Sequence, residues 1–185
     1  MVKKNTRAKI FVVICLIIVT ITVIAFSACN SDVGEENISY DVKNFVVDSS
    51  IILKERDFVK KIDSFKQLST FVNDVGIQCY NKDSYIYNTD LGRTFRSYDK
   101  KYFRKNSLIV TYVVKGFPQP LELKNLEVNG NSMTISILNE LTTEDLEGNW
   151  FPDEIVTYVW FIEVNKKLVK KINEFIINEI THIGE

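Results

Sequence analysis

The chain has 185 residues, 45% of them apolar and 25% charged, with 23 Lys and Arg against 24 Asp and Glu for a formal net charge of −1. That length supports one domain with a real core and is too short for two comfortable ones. Once the four cations at the N-terminus are set aside the remainder stands at about −5, which excludes a general nucleic-acid binder and leaves no nucleic acid among the expected partners.

Lys3, Lys4, Arg7 and Lys9 are followed by an uncharged apolar run from Ile10 to Phe26. A basic head before an apolar centre predicts an export leader, and the run sits at the short end of the roughly 17–25 residues that a permanent membrane helix needs. The border reads Phe26-Ser27-Ala28-Cys29. A cut before Ala28 would give simple secretion, with the small residues Ala25 and Ser27 at the recognition positions, and an uncleaved leader would be an anchor. The same four residues also resemble the lipobox of bacterial lipoproteins, in which a cysteine after two small residues receives a lipid and becomes the new N-terminus. Phe26 departs from the usual Leu at its first position. The preferred division is a lipoprotein signal peptide over 1–28 with lipidation at Cys29, a flexible polar tether over 29–44, and a single domain over 45–185. The resemblance implies a lipid-anchored protein at the extracytoplasmic face of the cell membrane.

The chain has three cysteines. Cys15 lies in the leader and Cys29 at its border, so Cys79 has no partner for a disulfide and the fold must rest on packing. The single histidine, His182, is about a hundred residues from Cys79, and the thiol reads as a small apolar side chain rather than a nucleophile.

Along the domain, Phe45 to Leu53 predicts a strand with a turn or an early strand pair, and Phe58 to Ile62 a second, weak strand. Ser64 and Gln67 form a capping box. Phe65, Leu68, Phe71 and Val72 then share a helical face, and Gly76 stands where the helix should stop. Residues 77–94 read as a hairpin or ordered loop, because Asn81, Lys82, Asp83, Asn88 and Gly92 interrupt Tyr80, Tyr85 and Tyr87. Asp99 caps a short turn carrying Tyr102 and Phe103. The strand Leu108 to Val114 is apolar at nearly every position, so both faces should be covered.

A hairpin follows. Leu121 and Leu123 alternate with charge, Leu126 and Val128 resume after a one-residue bulge, Asn129-Gly130 makes the turn, and Met133, Ile135 and Ile137 return. Ile155 to Val164 is β-branched and aromatic, a central strand with Trp160 in the core. In the tail, Leu168, Ile172, Phe175, Ile176 and Ile180 recur at three- and four-residue spacings, which predicts an amphipathic helix docked on the sheet. The expected class is α+β, mostly antiparallel sheet, with one internal helix and a C-terminal amphipathic helix.

The order "SYDKKYFRKNSLIVTYVV", hairpin, "WFIEVNK" resembles small exported domains related to the C-terminal domain of PrcB-type protease-complex accessory proteins. These occur in lipoproteins of Gram-positive bacteria. In that group a helix after an I-x-S strand precedes a Tyr-Asp element and a buried strand, and the domain closes on I-E-V-x-K. The match covers about Phe58 to Lys166. It implies an accessory or inhibitory role toward a protease and brings no catalytic residues with it. The segment "KGFPQP", Lys115 to Pro120, keeps only Gly116 of the family's Ser-Gly-rich turn, so protease contacts are not carried over.

The chain has no phosphate loop, cysteine pair or zinc-type histidine spacing, so no metal or cofactor is expected and no residue is assigned as catalytic. Glu144, Asp145, Glu147, Asp153 and Glu154 form an acidic stretch without the alternating ligand spacing of a calcium loop. A hydrolase using acids of that 144–154 loop is the alternative to a binding role. The stretch from Arg93 to Lys105 gathers Arg93, Arg96, Lys100, Lys101, Arg104 and Lys105 among Phe95, Tyr98, Tyr102 and Phe103. Its candidate binding residues are Arg93, Arg96, Tyr98, Lys100, Lys101 and Arg104, facing an anionic wall polymer or a surface protein. The expected function is a non-enzymatic cell-surface lipoprotein, a binding or accessory module held to the membrane by its N-terminal lipid. Cells fed labelled fatty acid should mark the wild-type chain and leave Cys29→Ala unlabelled; equal incorporation in the two rules out lipidation at that cysteine.

Overall fold

In a computed structural model, residues 36–48, 57–116, 118–143 and 155–184 are described, and Glu36–Glu185 forms one compact unit. The described strands are β1 (Glu36–Asn37), β2 (Tyr40–Asp48), β3 (Phe58–Ile62), β4 (Asn106–Lys115), β5 (Leu121–Asn129), β6 (Ser132–Thr142), β7 (Val156–Asn165) and β8 (Glu174–Gly184). The described helices are α1 (Phe65–Asp74) and α2 (Asp90–Ser97), and short 3-10 turns cover Tyr85–Asn88 and Tyr102–Arg104. One sheet has the order β2-β7-β4-β3, all antiparallel, and the other β1-β5-β6-β8, in which β6 and β8 run parallel.

The central strands explain the layering. Leu108, Val110 and Tyr112 of β4 and Val159 and Phe161 of β7 join Leu68, Phe71, Val72, Leu91 and Phe95 in one core, under the helices. Their neighbours Ile109, Val113, Trp160, Ile162 and Val164 join Leu126, Met133, Ile135 and Ile137 in a second core, between the sheets. Side chains alternate across a strand, so a run that is apolar at every position needs cover on both sides. The fold is therefore a three-layer α+β arrangement of helices, sheet and sheet.

The predicted β-hairpin forms with its bulge between Leu123 and Asn125. Asn129 pairs with Ser132, so the turn residues are Gly130 and Asn131, one position later than the spacing suggested. Gly130, at φ +63°, takes the left-handed conformation that a two-residue hairpin asks of its first turn residue.

Three expectations are corrected. First, β1 and β2 draw residues 36–44 into the sheets, so the domain begins at Glu36 rather than 45 and the tether does not reach 44. The strand pattern of β2 was hidden because Asp41, Lys43 and Asn44 interrupt its apolar residues, yet it pairs along all of β7. Second, residues 90–97 form a second internal helix. Thr89 caps it by accepting from the Gly92 N–H at 3.1 Å, and Leu91 and Phe95 bury on one face. Gly92, which reads as a helix breaker, is required because a Cβ there would collide with the Ile86 carbonyl.

Third, the tail is not an amphipathic helix. After turns over residues 166–171, Glu174–Gly184 is the edge strand β8. Its Ile176, Ile177, Ile180, Thr181 and Ile183 are β-branched, a composition that favours extended backbone, and its side chains follow period two. Phe175 and Ile177 pack toward the inter-sheet core, whereas Ile180 is 43% exposed. Of the early strand region expected over Phe45 to Leu53, residues 45–48 belong to β2 and the rest lie outside the described residues.

The two readings of the tail differ energetically. Ile177→Ala should cost more than about 1 kcal/mol in urea unfolding, and Ile180→Ala less than about 0.5 kcal/mol. An amphipathic helix would place Ile180 in its buried stripe and reverse that order.

Candidate functional site

The sequence-predicted basic segment is divided by the fold. Tyr98 is buried, and its hydroxyl donates to Glu163 Oε1 at 2.9 Å. Arg96 stacks on Tyr87 with 3.8 Å from the guanidinium carbon to the ring centroid and donates to the Cys79 carbonyl at 2.8 Å, so it fastens the loop before α2. Arg93 pairs with Asp90 at 2.5 Å on the exposed face of α2. Lys100, Lys101 and Arg104 are exposed. Only these last three, with Lys105, present open charge; the aromatic residues Phe95, Tyr98 and Phe103 are core. Cys29 and the 144–154 acidic stretch, including Glu144 and Asp153, lie outside the described residues.

Cys79 is fully buried in the helix-side core, whereas His182 is exposed on β8 in the other sheet, so they form no nucleophile–base pair. Burial pushes the Cys79 thiol up to about 11, with the nearby Arg96 charge partly opposing. A thiol held protonated at neutral pH is a poor nucleophile.

A feature that the sequence reading passed over lies where β3 turns into α1. The two elements are joined by Asp63 and Ser64 alone, so α1 runs back alongside β3. The corner is held from several sides. Ser64 Oγ accepts from the Gln67 N–H at 3.2 Å, Gln67 Oε1 accepts from the Asp63 N–H at 2.6 Å, and Lys166 Nζ donates to the Asp63 carbonyl at 2.6 Å. Ser107 Oγ donates to the Asp63 carboxylate. At the other end of α1, Gly76 at φ +77° closes the helix, its N–H bonding the Asn73 carbonyl and that of Ile77 bonding the Val72 carbonyl.

Between β3 and α1 this rigid corner opens a groove of about 680 Å³, a size typical of small-ligand sites. Ser64, Gln67, Thr70, Phe71 and Asp74 face it from α1 at helical spacing. Phe58 and Lys60 face it from β3, and Tyr112 from β4, where it pairs with Phe58. Three nearly parallel rings form one end: Phe58 lies 5.3 Å from Tyr112 and 5.8 Å from Phe71, and Phe71 lies 6.2 Å from Tyr112.

Because strand and helix are antiparallel neighbours, Lys60 and Lys66 gather near the corner, whereas the rings and Asp74 lie toward the far end. Lys60 and Lys66 have no acidic partner among the described residues. Lys61 also borders the groove, but its ammonium donates to the Val169 and Ile172 carbonyls. Tyr112 is 1% exposed and its hydroxyl has no hydrogen-bond partner among the described residues, an exception to the pairing expected of buried polar atoms. Burial pushes the Tyr112 phenol upward, so it stays a protonated donor. Its signal in the sequence was faint: a tyrosine at an inward position of an otherwise aliphatic strand, opposite a phenylalanine.

The buried thiol and phenols make stability pH-dependent. Below 9.0 the Cys79 thiol is protonated in both folded and unfolded chains; between 9.0 and about 11 only the unfolded thiol ionises, so stability falls as pH rises through that window. Tyr98 and Tyr112, raised by burial and in Tyr98 also by Glu163, act in the same direction above their ordinary value of 10.0. Urea midpoints measured from pH 8 to 10.5 should decline, and Cys79→Ala should flatten the first part of the decline. A midpoint that holds steady up to pH 10.5 contradicts the buried state of these groups.

Compared with known proteins, the chain matches no family model, no curated protein and no solved structure.

Proposed function

We propose that this protein is a non-enzymatic binding or accessory module, displayed at the extracytoplasmic face of the cell membrane on a lipid attached to Cys29. The observation that carries the binding role is the groove between β3 and α1: a concave, partly aromatic surface with, at one end, two lysines that have no acidic partner among the described residues. Sites of this form hold ligands through an apolar floor and a few polar groups that set orientation. Among the described residues its lining includes no His or Cys and a single carboxylate, Asp74, so they supply no paired acid and base of the kind hydrolysis would need. Anchoring follows from the basic head, apolar run and Cys29 border in the sequence. Lys100, Lys101 and Arg104 add open positive charge that suits an anionic wall polymer or an acidic surface protein.

Thr70 is exposed at the groove, so Thr70→Trp fills it without disturbing the core. Stability should stay within about 0.5 kcal/mol of wild type. Retention of the purified domain on isolated cell envelopes should be saturable in wild type and at least about tenfold weaker in Thr70→Trp. Retention that is absent in wild type, or unchanged when the groove is filled, overturns the proposal.

A further inference from the structure

The groove has two chemically distinct ends, and this polarity specifies a ligand. At the corner, Lys60 projects from the helix-side face of β3 between Phe58 and Ile62, and Lys66 sits in the first turn of α1. The positive end of the α1 dipole lies at the same corner, and neither the first turn of α1 nor any described ion pair offsets the two ammonium groups. The far end is a stack of three rings with Val75 beside it.

We propose that the groove binds an amphipathic aryl carboxylate, its anionic head between Lys60 and Lys66 and its apolar body toward Phe58, Phe71 and Tyr112. This rests on the reading of the domain as a binding module and gives it a ligand class. Charge selects the orientation: a reversed ligand would place its carboxylate beside Asp74, the only acid lining the groove among the described residues. The aromatic floor favours a flat body over a bulky polar one, because offset ring stacking adds to the burial of apolar area.

The test uses the compact unit Glu36–Glu185. The probe is naproxen, an aryl carboxylate with one ether oxygen, and its methyl ester is the uncharged control. Fluorescence titration should show one saturable site, with NMR amide shifts confined to β3, α1 and the Tyr112 region of β4. The ester, and the acid added to the Lys60→Gln/Lys66→Gln double variant, should each bind about tenfold more weakly, as loss of the charged contacts predicts.

Equal binding of acid and ester, or full affinity in the double variant, overturns the anionic-head assignment while leaving the groove a binding site. Absence of groove shifts with either probe overturns the ligand class. If envelope retention then persists and still depends on Thr70, the binding reading stands; if it too is missing, both fall.

Discussion

The structure depends on one constraint, the requirement that β4 and β7 be covered on both faces. They pair from Asn106↔Asn165 to Lys115↔Val156, and buried side chains leave the pair in both directions. Water on either face would expose large apolar area, at about 25 cal/mol for each Å². Helices cover one side and the β5–β6 hairpin with β8 covers the other. Every other element is placed by which of the two layers it completes.

That requirement also shapes the groove. The helix layer covers the middle of its sheet fully, where Phe161 meets Phe95 at 4.8 Å and Phe45 at 5.6 Å. Toward the edge strand β3 the cover thins, and α1 leaves Phe58 half buried rather than sealed. The corner formed by Asp63, Ser64, Ser107 and Lys166 keeps helix and strand from closing the gap, so the concavity is built into the backbone. A preformed site of this kind binds without first ordering its own side chains.

The basic segment shows how strongly tertiary packing can reassign residues. In sequence, cations and aromatics interleave as they would on a binding face. In the fold, the helical turn of α2 and the extended Tyr98 that ends it send Phe95 and Tyr98 inward, and Arg96 becomes a brace across Tyr87 and the Cys79 carbonyl. Interleaving at helical spacing describes an amphipathic element as readily as a ligand surface. Lys60 and Lys66, which have no acidic partner among the described residues, stand instead on two different elements joined by the β3–α1 corner.

What the sequence alone determined was local and periodic: the Ser64–Gln67 cap, the Gly76 stop, the bulged hairpin, and the two-faced strands at 108–114 and 155–164 with Trp160 inside. Each follows from interactions within a few residues or from a repeat of 2.0 or 3.6. The tail illustrates the limit, since Leu168, Ile172, Phe175, Ile176 and Ile180 fit a helical stripe while Phe175 and Ile177 fit a strand. The open edge of β6 resolved it, because parallel pairing from Ser132↔Glu174 onward satisfies that strand's backbone groups and sets Phe175 and Ile177 toward the core. Helix α2 was likewise unreadable without knowing that the Ile86 carbonyl occupies the space beside Gly92. The groove belongs wholly to tertiary structure. Tyr112 is about fifty residues from Phe58 in the chain and lies opposite it only through sheet register, and register is set by long-range pairing that no local pattern encodes.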